Sequence, residues 1–228
     1  MHSTTCLNCN TELTGKFCHE CGQKADTHRI TAQHFITHDL VHGVWHIDKG
    51  ILYTFKQALT RPGYAAKEYI DGKRVKFYNI FYIILMLLAF TLYLGTFAKE
   101  YNDHAFLIKA TYLMFVPLYA IAGLLFFPRL KYNFFEHAII GGMVVLCMLI
   151  LVLLSIVFEM FPFKFVVYIR IMISYLYFVI PVIIYYQATA TYYKMPGFAW
   201  RIVLTLLFVL SAQYLSVYLY KAAVYSLS

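Results

Sequence analysis

The sequence predicts an all-α membrane protein: five transmembrane helices preceded by a cytosolic four-cysteine zinc knuckle and an amphipathic helix. Three observations carry this reading. Apolar residues make up 61% of the 228 and charged residues only 13%, about half the charged share of a soluble domain. After Tyr78 come five apolar runs, at roughly 79–98, 106–127, 138–158, 165–186 and 200–220, each near the ~20 residues that a helix needs to cross a bilayer. Four of the five cysteines form two Cys-x-x-Cys pairs between Cys6 and Cys21. The chain therefore divides into a zinc knuckle (1–27), cytosolic amphipathic and juxtamembrane helices (28–78) and a five-helix transmembrane domain (79–228).

Cys6, Cys9, Cys18 and Cys21 offer four thiolates from two turns, the spacing that gives Zn²⁺ a closed tetrahedral shell. Asn10 and Gly22, one after each pair, suit the tight-turn conformations such knuckles use. A closed shell leaves no open coordination position, so the expected metal is structural and supplies folding energy to a segment too small to own a core. A redox pair is the rival reading, although thiol exchange needs only one Cys-x-x-Cys. Cys147 stands alone in an apolar run and reads as packing.

Residues 31–59 read as an amphipathic helix with Thr31 as N-cap. Ile36, Leu40, Val44, Ile47, Ile51, Phe55 and Leu59 recur every three or four positions. On the other face His34, His38, His42 and His46 recur every fourth residue, so adjacent imidazoles share a stripe. That stripe is either a solvated face or a possible second metal site, and the only carboxylate close to it is Asp39. Asp48 falls among the apolar residues; it is either a cap at a helix break, at Asp48-Lys49-Gly50, or a buried carboxylate paired with a basic residue.

Pro62-Gly63 stops the first helix, and Tyr64–Asp71 forms two further turns that Gly72 ends. Arg61, Lys73, Arg74 and Lys76 stand just before the first apolar run as lipid and topology anchors. Ten basic residues precede that run and four more lie in the loops 128–137 and 187–201, against Lys99, Lys164 and Lys221 on the opposite side. The positive-inside rule then places the N-terminus in the cytosol and the C-terminus outside. No secretory signal opens the chain. Within the runs the polar residues are Lys109, Arg170 and Gln213; the two cations sit about one turn from a helix end, where long side chains snorkel. Pro117 and Pro181 interrupt helices, and Gly141-Gly142 lets a neighbour approach closely.

The knuckle, the stretch Trp45–Gly63 (WHIDKGILYTFKQALTRPG) and the stretch Glu68–Asn79 (EYIDGKRVKFYN) together resemble an uncharacterised bacterial membrane-protein family, the domain of unknown function 3667 type. The resemblance covers nearly the whole chain, with its specific motifs in 6–79, and implies a bacterial inner-membrane location but no activity. Members of that family often continue the second motif as Asn-Pro; here Ile80 follows Asn79.

The expected function is a non-enzymatic scaffold or regulatory module that uses the knuckle and its helix to bind a cytosolic protein partner or anionic membrane lipid. A small-solute or ion transporter or channel is the alternative, and it requires a polar cavity joining Lys109, Arg170 and Gln213. A membrane enzyme at the His stripe is the third reading, and it lacks a nucleophile, paired carboxylates or an open metal site. Nucleic-acid binding is not expected, because the basic excess is topological: residues 1–78 hold ten basic and seven acidic residues.

Overall fold

The computed structural model describes residues 4–25, 27, 50–96, 105–159 and 166–227. Among these, the regular structure is helical: α1 Gly50–Thr60, α2 Pro62–Ile70, α3 Ile80–Gly95, α4 Ala105–Phe126, α5 Phe134–Glu159, α6 Val166–Thr189 and α7 Met195–Leu227, with a short 3₁₀ turn at Pro128–Leu130. Three segments are long and apolar enough to cross a membrane: Phe134–Phe158, Val166–Thr189 and Met195–Ser216. Five spans are expected from the sequence; among the described residues three are found, and Ile80–Gly95 and Thr111–Phe126 are shorter apolar helices. The 16 residues of α3 extend only about 24 Å at 1.5 Å each, short of a ~30 Å hydrocarbon core.

Helix α5 is the centre of the body. In its most apolar stretch 78% of the residues are buried, against 18% and 22% in the corresponding stretches of α6 and α7, which turn most of their apolar surface outward. Gly141-Gly142 makes the central position possible by admitting helices from two sides. A Cβ on Gly141 would lie 2.9 Å from the Val116 carbonyl oxygen of α4, and one on Gly142 would lie 3.3 Å from Cγ2 of Ile80 of α3. The α4–α5 pair runs antiparallel: Val116 and Tyr119 lie beside Gly141, and Gly123 lies beside His137. Burial of Ile139, Ile140, Met143, Val144, Leu146 and Leu149 along α5 is the main apolar contribution to this core.

Helices α1 and α2 belong to the same hydrophobic core as α3–α7, through Ala58, Ala65, Ala66, Tyr69 and Ile70. Small residues permit it. A Cβ on Gly63 would fall 2.2 Å from the Ile184 carbonyl oxygen of α6, and the Gly63 N–H donates to Gln187 Oε1 at 2.9 Å. Cys147 Sγ of α5 donates to the Ala58 carbonyl at 3.3 Å, so its packing role includes a polar contact. The apolar stripe expected on α1 holds only in part. Ile51 is buried, but Leu59 is 67% exposed, and Thr54, Gln57 and Ala58 are the residues turned inward. Close approach to α5 selects the small Ala58 for the contact and leaves Leu59 outside.

Local signals set the helix ends. Pro62 occupies the first turn of α2, where its missing N–H costs nothing. Gly72, at φ +96°, ends the turn after α2. Asn79 caps α3 by accepting from the Phe81 N–H at 2.9 Å, which is the usual N-cap device. Ile80 therefore stands at the first helical position, where Pro is also favoured, and here it is 1% exposed against Gly142.

Candidate metal centre and its seat on the membrane helices

The knuckle is built twice from one backbone pattern. The Cys6 N–H donates to Thr11 O and the Asn10 N–H to Cys6 O, both at 2.8 Å; twelve residues on, the Cys18 N–H donates to Gln23 O and the Gly22 N–H to Cys18 O, again at 2.8 Å. Asn10 and Gly22 hold the positive φ angles, 61° and 76°, that close each turn, and both residue types tolerate this region. Isolated β-bridges, Thr5 with Glu12 and Phe17 with Lys24, brace the two turns.

This geometry turns four sulfurs toward one point. Their Sγ atoms all lie within 4.8 Å of one another, with Cys6–Cys21 and Cys9–Cys18 each at 3.5 Å. A tetrahedral shell with Zn–S of about 2.3 Å places sulfurs about 3.8 Å apart, so the donor set fits such an ion. The cysteines are free thiols, and 3.5 Å is far beyond a disulfide bond of about 2 Å. Hydrogen bonds with the Thr11 hydroxyl, at 3.3 Å, and with the Thr11 backbone hold the Cys9 thiol down to about 6, which favours the thiolate a metal requires. Among the described residues this is the one cluster of His, Cys, Asp and Glu that could hold a metal.

Both turns touch the loop between α2 and α3, the first through Leu7 and the second through Gln23. The side chain of Leu7 lies against Gly72, where a Cβ would come within 2.7 Å of Leu7 Cδ1. Buried Gln23 accepts from the Arg74 N–H at 3.4 Å. The second turn leaves Phe17 57% exposed.

The remaining expected site residues distribute unevenly. Arg61 is held in place: Nη1 and Nη2 donate to the two Glu68 carboxylate oxygens at 3.0 and 3.1 Å, and Nε donates to Gln57 Oε1. Arg74 donates from Nε to the Tyr69 carbonyl at 3.3 Å and lies over the Tyr69 ring. Lys73 and Lys76 are exposed. Gln213 lines a cavity of about 280 Å³ between α4, α5, α6 and α7, together with Tyr112, Tyr119, Ser174 and Tyr177. His34, His38, His42, His46 and Asp48 lie outside the described residues, as do the side chains of Lys109 and Arg170.

Sequence reasoning missed Glu136 and His137, which are 2% and 1% exposed at the start of α5. The signal was present as a capping box, Asn133-x2-Glu136: the Asn133 N–H donates to Glu136 Oε2 at 2.8 Å and the Glu136 N–H to Asn133 Oδ1 at 3.0 Å. His137 packs on Gly123, and its Nδ1 has no hydrogen-bond partner among the described residues.

No curated protein and no solved structure matches the chain. Residues 48–90, which run from just before α1 through most of α3, match the family model described as Protein of unknown function (DUF3667).

Proposed function

We propose that the protein is a non-enzymatic scaffold or regulatory module of the bacterial inner membrane. Its five helices α3–α7 cross the bilayer, its N-terminus is cytosolic, and a structural Zn²⁺ on Cys6, Cys9, Cys18 and Cys21 holds the knuckle in a shape that binds a cytosolic protein. The observation that carries this reading is the seat of the knuckle. Leu7 and Gln23 contact the turn Gly72–Arg74 in the segment between α2 and α3, so the knuckle rests on the connection that leads into the helix body. The exposed Phe17 is left as an apolar anchor for a partner, and a module tethered at a membrane meets partners there at raised effective concentration. Without metal the two turns lose their common ligand, and the seat on Gly72 loses its support.

A photo-crosslinking residue at position 17 in living cells tests this. The expected result is capture of a defined cytosolic protein that disappears when Cys6 and Cys18 are both changed to Ala. Capture that persists in that variant, or no capture at all, overturns the proposal.

The second reading, a transporter or channel, draws on the cavity that Gln213, Ser174 and the hydroxyl-bearing Tyr112 and Tyr177 line. A solute-dependent change in Gln213→Leu but not in the double cysteine variant would favour it.

A further inference from the structure

At the end of the body reached by the knuckle, the loops 127–133 and 190–194 meet around Tyr193. This residue is buried, its hydroxyl accepts from the Arg129 N–H at 2.9 Å, and Phe127 packs edge-on against its ring. Two guanidiniums share that ring: Arg129 with its central carbon 5.4 Å from the centroid, and Arg201 with its central carbon 4.6 Å away. Their central carbons are therefore at most 10.0 Å apart. Arg201 is also fixed over the Trp200 ring at 4.0 Å, and it gives Nη1 to the Gly197 carbonyl at 2.8 Å. Its Nε is buried with no acceptor, and neither arginine has a carboxylate partner among the described residues. A buried donor left without an acceptor carries a real penalty, and two cations held on one ring repel unless an anion joins them. Arginine is the side chain best shaped for phosphate oxygens.

What distinguishes a lipid phosphate from a soluble one is the surface beside it. Trp200, Val203, Leu204 and Leu207 are all exposed and lie at positions i, i+3, i+4 and i+7 of α7, one continuous apolar stripe leading away from Arg201 along a helix long enough to span a bilayer. Trp at such a position marks headgroup depth. We propose that Arg129 and Arg201, seated on Tyr193, bind the phosphate of an anionic glycerophospholipid whose acyl chain lies along Trp200, Val203, Leu204 and Leu207. The site rests on the membrane placement proposed above and is independent of the zinc.

The test titrates the purified full-length protein, in a neutral detergent, with phosphatidylglycerol, phosphatidylcholine or inorganic phosphate, and counts bound lipid by native mass spectrometry. Phosphatidylglycerol is expected to bind saturably and phosphatidylcholine weakly, with inorganic phosphate failing to compete. Changing Arg129 and Arg201 together to Gln is expected to weaken phosphatidylglycerol binding roughly thirtyfold, from the contribution of two cations near anionic lipid. Changing the exposed Lys16 and Lys56 to Gln should leave it within about twofold. Equal binding by the wild type and the double arginine variant, equal binding of the two lipids, or full competition by inorganic phosphate overturns the assignment. Should the Arg201 variant fold poorly, the exposed Arg129→Gln alone is expected to lose about fivefold, and no loss there is equally fatal. Membrane retention and zinc content of the same samples report on the reading of the previous section, so a failure here with both intact sinks the lipid site alone.

Discussion

Arg61 and Glu68 close the corner between α1 and α2 with a two-pronged ion pair, Nη1 and Nη2 reaching the two carboxylate oxygens at 3.0 and 3.1 Å. Gln57 accepts from the same guanidinium through Nε, so all three side chains fix the direction in which α2 leaves α1. Both charged partners are partly exposed, 42% and 27%, and solvent screens the pair accordingly. Burial alone would pull the arginine's pKa down, but Glu68 and Tyr53 together more than offset this and the net value is raised.

Removing the pair is therefore expected to loosen the corner without unfolding the protein. Arg61→Ala should cost about 1 kcal/mol and lower the melting temperature in detergent by about 2–4 °C. A double-mutant cycle with Glu68→Gln, read by thermal unfolding, should give a coupling energy clearly above zero, and strictly additive losses would show that the two side chains act independently.

Gly63 is a sharper test of the same corner. A methyl group there meets the Ile184 carbonyl oxygen at 2.2 Å, a backbone atom that cannot swing aside, whereas a Cβ on Gly15 of the knuckle meets nothing within 4 Å. Gly63→Ala should cost about 3 kcal/mol or prevent assembly of the folded protein, while Gly15→Ala should change stability by less than about 0.5 kcal/mol. Size-exclusion behaviour and thermal unfolding of the two variants check this, and equal stability of the pair would contradict the packing of α2 on α6.

The cysteine cluster is expected to hold one zinc per chain, lost when Cys6 and Cys18 are both Ala, by elemental analysis. Its pH response follows from Cys9. Folding lowers that thiol from 9.0 to about 6, so its contribution is fully present above its ordinary value and is lost as the pH falls through about 6. Protons also compete with the ion for the same sulfurs. Zinc release on acidification should accelerate below about pH 6, and Thr11→Val, which removes the hydroxyl bond to Cys9, should move that onset upward. An unchanged onset would mean that Thr11 does not set the thiolate.

At the start of α3, Asn79→Ala should cost about 1 kcal/mol through loss of the cap to Phe81. Ile80→Pro should be accepted by the backbone, since the position is the first of the helix. Its cost, about 1–2 kcal/mol, should come from the buried side chain it removes from beside Gly142. Far-ultraviolet circular dichroism that stays at wild-type helicity, with a lowered melting temperature, separates the two effects.

Compartment reporters fused to each end should place the N-terminus in the cytosol and the C-terminus outside, as five crossings and the charge bias require. Both ends on one side would leave an even number of crossings, with the 16-residue α3 as the helix too short to count among them.

By itself the sequence determined whatever depends on neighbours along the chain. The spacing of Cys6, Cys9, Cys18 and Cys21, the tight turns at Asn10, Gly22 and Gly72, the stop at Pro62 and the apolar runs are all written within a dozen or two residues, where backbone sterics, hydrogen-bond geometry and transfer free energy act directly. The tertiary structure alone decided which surfaces meet. That Gly63 gives its N–H to Gln187, 124 residues away, packs α2 against α6 of the helix body. Ala58 replaces Leu59 as the inward residue because only a small side chain fits against α5. Arg61 pairs with Glu68, while Arg129 and Arg201, alike in the sequence as loop and helix-end cations, converge on Tyr193. Hydrophobic periodicity states how apolar a face is; the partner that covers it is chosen by close packing between distant segments.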